Sequence, residues 1–188
     1  MIFAAAQGRR GWKWPRFCAM LGASWRMSPV RTLFPVRPMS KAVPSEPILT
    51  VAEIEKLLEE VFPQLHHGGR TVMVEEVGPM SARLRLIAHE RHLRPGGTVS
   101  GPAMFTLADV GIWVAIFSHL GPEALDAVTM NLNINFLRKP PHGDVLVECR
   151  LLKLGKRLAV GQATLFSQGA AEPVAHAVGT YSIPASRK

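Results

Sequence analysis

Between residues 50 and 61, apolar side chains stand at Val51, Ile54, Leu57, Leu58 and Val61, with Glu and Lys between them. Spacings of three and four predict an amphipathic helix. Thr50 with Glu53 three residues on makes a capping box at its start. Beyond Pro63 and the turn-rich run 66–69 the period changes to two. Residues 71–77 and 82–88 read as strands, with Gly78-Pro79 marking a hairpin. In the second strand Ala82, Leu84, Leu86 and Ala88 alternate with Arg83, Arg85 and Ile87, as in a half-buried antiparallel strand.

A loop over 90–101, carrying Arg94-Pro95-Gly96-Gly97, leads into residues 102–119, which are apolar nearly all round. Pro102 suits a first helical position and Gly121-Pro122 a stop, so a helix of about 27 Å is expected. It must be buried on most faces. A membrane span is disfavoured, because a carboxylate such as Asp109 near its centre costs about 3 kcal/mol and the stretch is slightly short. Four strands follow, at 127–137, 144–154, 158–167 and 173–182, with turns at Lys139-Pro140-Pro141, Gly155 and Gly169. Each connection is short enough for an antiparallel meander. The expected class is α+β, with one antiparallel sheet wrapped around a long central helix.

The net charge of +8 would suggest a polyanion partner, but Arg9, Arg10, Lys13, Arg16, Arg26, Arg31, Arg37 and Lys41 supply it, and no acid lies among residues 1–41. The remainder balances basic against acidic residues, which argues against nucleic-acid binding by the folded part. The basic stretch 1–45 has neither helical nor strand period and is expected to lack fixed structure. It reads either as a targeting segment or as the product of a start placed too far upstream, with Met27 or Met39 as the first residue. The folded domain is expected over 46–188. Two cysteines, Cys18 and Cys149, make neither a disulfide framework nor a thiolate metal site. The seven histidines show no metal-ligand spacing, so no metal is expected. A reducing cytoplasm is the expected location.

Asp109 is the first candidate for chemistry. An ionisable group inside an apolar helix is costly unless paired or used, and a structural ion pair is the alternative. Gly101 begins the same helix, where free N–H groups and the positive dipole end form a ready oxyanion hole, each donor worth about 3 kcal/mol. The plainer reading is Ser100 as N-cap, Gly101 for backbone freedom and Pro102 at the helix start. Eight residues separate Gly101 from Asp109, about 12 Å along a helix, too far for both to touch one carbon. Two such helices antiparallel across a twofold axis would bring Gly101 of one subunit to Asp109 of the other, so a homodimer with two sites is expected. On the strand at 127–137, strict alternation sets Thr129, Asn131, Asn133 and Asn135 on one face and Val128, Met130, Leu132, Ile134 and Phe136 on the other. Either that polar face is solvated, or Thr129 holds a water against Asp109 and Asn131 lines the cavity.

Over residues 70–184 the chain resembles the PaaI-like thioesterases of the hotdog superfamily. The resemblance rests on RPGGTVSGPAMFTLAD at 94–109, AVTMNLNINFLRKP at 127–140 and GKRLA at 155–159. It implies the hotdog fold and hydrolysis of an acyl-CoA thioester. By this resemblance Asp109 activates water or attacks the thioester, the Gly101 N–H polarises the carbonyl, and Thr129 orients water. Two departures stand out. The helix opens with Ser100-Gly101-Pro102 where the family commonly has His-Gly-Gly, and Arg94 replaces an Asn or Gln that helps hold the carbonyl. The guanidinium of Arg94 could donate to that carbonyl or bind a substrate carboxylate or phosphate. Arg138, Lys139, Lys156 and Arg157 are the basic residues available to the phosphates of coenzyme A, which enters as part of the substrate and not as a cofactor. Met104, Phe105, Trp113 and Phe117 would wall an apolar or aromatic acyl pocket unless they serve as core. A non-catalytic acyl-CoA-binding domain is the alternative function, motivated by the altered helix start. Dehydration of a hydroxyacyl thioester ranks last, since no His lies near Gly101 or Asp109 in sequence. A dimer of dimers is a further expected assembly.

Overall fold

The computed structural model describes residues 45–185, so the expectations for the basic N-terminal stretch lie outside the described residues. Helix α1, Val51–Val61, carries the expected capping box: the Thr50 N–H donates to Glu53 Oε2 at 2.8 Å and the Glu53 N–H to Thr50 Oγ1 at 3.4 Å. Its apolar stripe buries Ile54 and Leu58. Glu55 on the same helix accepts from the Val74 N–H and pairs with Arg70, which ties α1 to strand β1, Val72–Gly78.

Strand β1 pairs with β2, Ser81–Leu86, and the sheet continues through β6, Val145–Leu154, β7, Leu158–Ser167, and β8, Pro173–Ser182, to β5, Val128–Phe136. All pairings are antiparallel. The loop before the long helix contains a two-residue ribbon, β3 at Leu93–Arg94 with β4 at Thr98–Val99. Gly96 and Gly97 turn it at φ values of 96° and 71°, which side chains strongly disfavour.

The expected meander fails at one strand. Although β6 follows β5 in the chain, β5 lies at the sheet edge beyond β8 while β6 pairs with β2. The 137–144 connection therefore crosses three strand spacings, about 14 Å, within reach of its length. Order across a sheet is decided by which strands cover the central helix together, and a short connection alone does not make two strands neighbours.

Helix α2, Gly101–Leu120, is capped by Ser100 and lies across the concave face of the sheet, with most of its residues buried. It is long and apolar enough to cross a membrane, but 67% of that stretch is buried within the fold. Close approach is allowed by glycines. A Cβ on Gly111 would lie 2.6 Å from Cys149 Sγ, and one on Gly161 of β7 would lie 2.8 Å from Ile112 Cγ2. At its C-terminal end the buried His119 accepts a hydrogen bond at Nε2 from the Met80 N–H, 3.0 Å away. The ring proton therefore sits on Nδ1, 2.8 Å from the Ala115 carbonyl. That network clamps the helix end to the β1–β2 turn, a tighter structural role for His119 than the helix dipole alone would give it.

One irregularity positions the site. Thr129 stands opposite Tyr181, but Asn131 stands opposite the next residue back, Thr180, so Met130 is an extra residue in a β-bulge. The bulge reverses the alternation. Thr129 shares the helix-facing side with Leu132 and Ile134, opposite Gly179 and Ala177. Asn131, Asn133 and Asn135 point to the other face. The strict period of two, which grouped Thr129 with the asparagines, is thus corrected by one inserted residue.

Candidate active site

Helix α2 leaves a single stripe uncovered by the sheet: Pro102, Phe105 and Thr106 are exposed, Asp109 and Trp113 half-buried. These positions recur at helical spacing, so the acid sits in the middle of the only open face of an otherwise buried helix. Two donors from neighbouring strands hold its carboxylate. The Thr129 hydroxyl donates to Asp109 Oδ1 at 2.8 Å. The Tyr181 hydroxyl lies 2.5 Å from the same Oδ1 and 2.7 Å from the Asp109 carbonyl oxygen. Among the described residues, none donates to Oδ2.

Tyr181 escaped the reading of the sequence. It is the only tyrosine of the chain and is 1% exposed. It occupies an inward position of β8 whose other occupants are Ala175, Ala177 and Gly179. One polar-tipped ring among such small residues was the available signal, since a buried tyrosine hydroxyl needs a partner. Burial, followed by the negative charge of Asp109, pushes its phenol well above the ordinary range, so the hydroxyl keeps its proton and remains a donor.

Asp109, Thr129 and Tyr181 form the polar end of a cavity of about 570 Å³. Its apolar wall includes Val61 and Phe62 from the end of α1, Trp113 from α2 and Leu125, and Asp126 also lines it. Trp113 is fixed on three sides. It stacks on Phe117 at 5.4 Å and 11°, meets the Phe62 ring edge-on at 6.5 Å and 87°, and donates through Nε1 to the Ala124 carbonyl at 3.3 Å. Of the four residues expected to wall an acyl pocket, only Trp113 lines this cavity. Met104 and Phe117 are buried core, and Phe105 stands 40% exposed on the open helix stripe. The wall contributed by α1 was not anticipated, because no sequence pattern tells where a surface helix ends against another element.

Gly101 is the first residue of α2. Ser100 accepts the Ala103 N–H through its side chain at 3.4 Å and the Met104 N–H through its carbonyl at 3.2 Å, so Ser100 acts as the N-cap. The Gly101 N–H has no acceptor among the described residues, as expected of a first-turn donor. A Cβ on Gly101 would lie 3.2 Å from Phe136 Cζ, so this end of the helix faces the last residue of β5, whereas Asp109 faces its second.

The remaining candidates divide between the two ends. Arg157, in the β6–β7 turn, accepts the Ile183 N–H at 2.9 Å and so lies at the Thr129 end. Arg138 and the exposed Lys139 follow the Phe136 end, where Arg138 donates to the Pro173 carbonyl at 3.1 Å and pairs with Glu172 at 2.8 Å. Arg94 is exposed on β3. Asn131 lies on the face of the sheet opposite Asp109, outside the cavity lining.

A six-stranded antiparallel sheet curled on one long helix, with an acid on the helix's open stripe, is the hotdog architecture. The thioesterase superfamily model matches residues 96–174, from just before the helix to the start of β8. A candidate esterase of Saccharolobus solfataricus is 30% identical over 139 residues, which cover 73% of this chain and 87% of the relative. The chain belongs to the thioesterase superfamily. Its crystallised neighbours agree. A candidate thioesterase of Silicibacter is 46% identical with a TM-score of 0.67, over 74% of this chain and 95% of that one. Zebrafish thioesterase superfamily member 2, at 22% identity and TM-score 0.62, covers 72% and 99% respectively and shares the fold. The family and its named relatives support a thioester hydrolase activity for the chain.

Proposed function

We propose that the protein hydrolyses acyl-CoA thioesters as a homodimer, with Asp109 of one subunit working against Gly101 of the partner subunit. The observation that carries this reading is the division of the machinery among the described residues: an acid with one open oxygen midway along α2, beside the Thr129 end of β5, and an N–H without an acceptor at the start of α2. The separation, about 12 Å along the helix, prevents one chain from using both on one carbon. The edge strand β5 supplies the means of joining them. Among the described residues it has no strand partner on its outer side, and Val128 and Met130 are 58% and 64% exposed. Such an unpaired apolar edge is a template for pairing with another chain. Antiparallel pairing of two β5 edges across a twofold axis sets the Thr129 end of one beside the Phe136 end of the other, and so Asp109 beside the partner's helix start.

In this arrangement Asp109 Oδ2 either takes a proton from water as the water attacks the thioester carbonyl, or attacks that carbon itself. The partner's Gly101 N–H holds the developing oxyanion; the C–S bond breaks as the coenzyme A sulfur takes the proton collected by Asp109 or, where Asp109 itself attacks, one from water, and in that case a water then hydrolyses the acyl–Asp109 anhydride to the free acid. The wall of Val61, Phe62 and Trp113 suits an apolar acyl group, and Asp126 at the same cavity disfavours an acyl chain ending in a carboxylate. Arg157 of one subunit and Arg138 and Lys139 of the other are cations at the two ends that would take the phosphates of coenzyme A. The buried free thiol of Cys149 accords with a reducing compartment such as the cytoplasm. Release of free coenzyme A from a panel of short, long, aromatic and carboxylate-ending acyl-CoAs tests the reading. Turnover that collapses in Asp109→Ala while the dimer persists is expected. Tight binding without turnover in the unaltered protein favours an acyl-CoA-binding domain, the reading motivated by Ser100 at the helix start.

A further inference from the structure

We infer that Tyr181 is a positioning residue for Asp109: together with Thr129 it occupies Oδ1, which leaves Oδ2 as the oxygen that meets water or the thioester carbonyl. A carboxylate oxygen has two lone-pair directions, and both are taken at Oδ1, by Thr129 at 2.8 Å and Tyr181 at 2.5 Å. Rotating the carboxylate to exchange its oxygens would break both hydrogen bonds at once. The Tyr181 hydroxyl also lies 2.7 Å from the main-chain carbonyl of Asp109. Its single proton is therefore shared between the side chain and the backbone of one residue, which fixes the acid relative to its own helix.

The surroundings of Tyr181 fit that task. Thr129 on β5 and the fully buried Ala159 on β7 flank it across the sheet. The small side chain of Ala159 leaves room for the ring, whose tip reaches the helix beneath. A tyrosine serving only the core would need one acceptor, and the Asp109 carbonyl would suffice. The contact with Oδ1 is the addition. Because burial, followed by the charge of Asp109, holds the phenol well above its ordinary range, the hydroxyl remains a donor at neutral pH.

The inference rests on the acid reading of Asp109. Its test is Tyr181→Phe, which removes one oxygen, assayed on acyl-CoA and on an activated p-nitrophenyl ester. A fall in kcat of about 10- to 100-fold with KM within about twofold is expected, the size of a misoriented reacting group. Thr129→Val acts on the same oxygen from the solvent side, so the double variant should lose less than the product of the two single losses. Should Tyr181→Phe unfold, 3-fluorotyrosine at position 181 keeps the ring and alters only the donor; kcat should change with KM and Tm held. In the proton spectrum, the hydroxyl hydrogen should appear far downfield and move upfield in Asp109→Asn. Unchanged kcat in a folded Tyr181→Phe, or single losses that multiply, overturns the inference and leaves the hydrolase reading standing. Turnover of neither substrate by the unaltered protein overturns both.

Discussion

The two ends of the α2–β5 layer differ in how their polar groups are satisfied. At the Asp109 end the groups are bonded to one another: Thr129 and Tyr181 both reach Oδ1, and Trp113 beside them is held by Phe62, Phe117 and the Ala124 carbonyl. At the Gly101 end the first N–H has no acceptor among the described residues, and the Phe136 ring against it is 51% exposed. One end is preorganised, while the other is unfinished. The difference teaches that one chain can present two groups suited to one reaction and still keep them apart. The same helix carries the donor and the acid and so sets them apart, and under the proposed reading a second copy brings them together.

The largest expected effect removes the organised end. Asp109→Asn keeps the shape, and its amide oxygen can still accept from Thr129 and Tyr181, but the variant lacks a base or nucleophile. A fall in kcat of about 10³-fold is expected, with the dimer intact by sedimentation. Loss of the dimer together with activity would show that the acid serves the fold instead.

Breaking the junction between the ends comes next. Met130→Glu adds a charge to the exposed bulge of the edge strand. Sedimentation should report monomers, and kcat should fall by about 10²-fold, the loss of one oxyanion donor. A monomeric Met130→Glu at full activity would mean that both halves of the site lie within one chain. Smaller still is Phe62→Ala at the acyl wall. Removing part of the apolar surface offered to the acyl group, about 1 kcal/mol, should raise KM roughly fivefold for long apolar acyl-CoAs, with kcat nearly unchanged; equal shifts for acetyl and long acyl groups would place the acyl chain elsewhere.

How far the two ends could be read in advance follows from their physics. The Thr50 capping box, both helices and six main strands are set by local period and punctuation, and these were legible. So were Asp109, Gly101 and Thr129 as separate candidates, because a charge in an apolar helix, a helix start and a polar strand position are each visible within a few residues. Thr129 beside Asp109 was one of two open readings, but the direct hydrogen bond between them and the part of Tyr181 were not legible. The position of β5 at the edge depends on pairing with β8, some forty residues later, and the bulge at Met130 depends on how Thr129 meets Tyr181. Tyr181 itself sits at a regular inward position, and only the third dimension reveals that its hydroxyl ends on Asp109.

Two glycines on the one helix provide the finest test. At Gly111, in the buried middle, an added Cβ would lie 2.6 Å from Cys149 Sγ and 3.2 Å from Val147 Cγ1. Gly111→Ala must push β6 away, and about 1–3 kcal/mol of destabilisation is expected in chemical unfolding. At Gly101 the added Cβ would lie 3.2 Å from the tip of the exposed Phe136 ring, which can swing aside. Gly101→Ala should therefore leave stability within about 0.5 kcal/mol, as surface substitutions usually do. The N–H survives the change, so kcat should move by no more than a few-fold if Gly101 serves only through its donor. A loss approaching that of Met130→Glu in a stable Gly101→Ala dimer would carry a different lesson: the acyl group passes against Cα itself, and the open end of the helix serves substrate by its lack of a side chain as well as by its N–H.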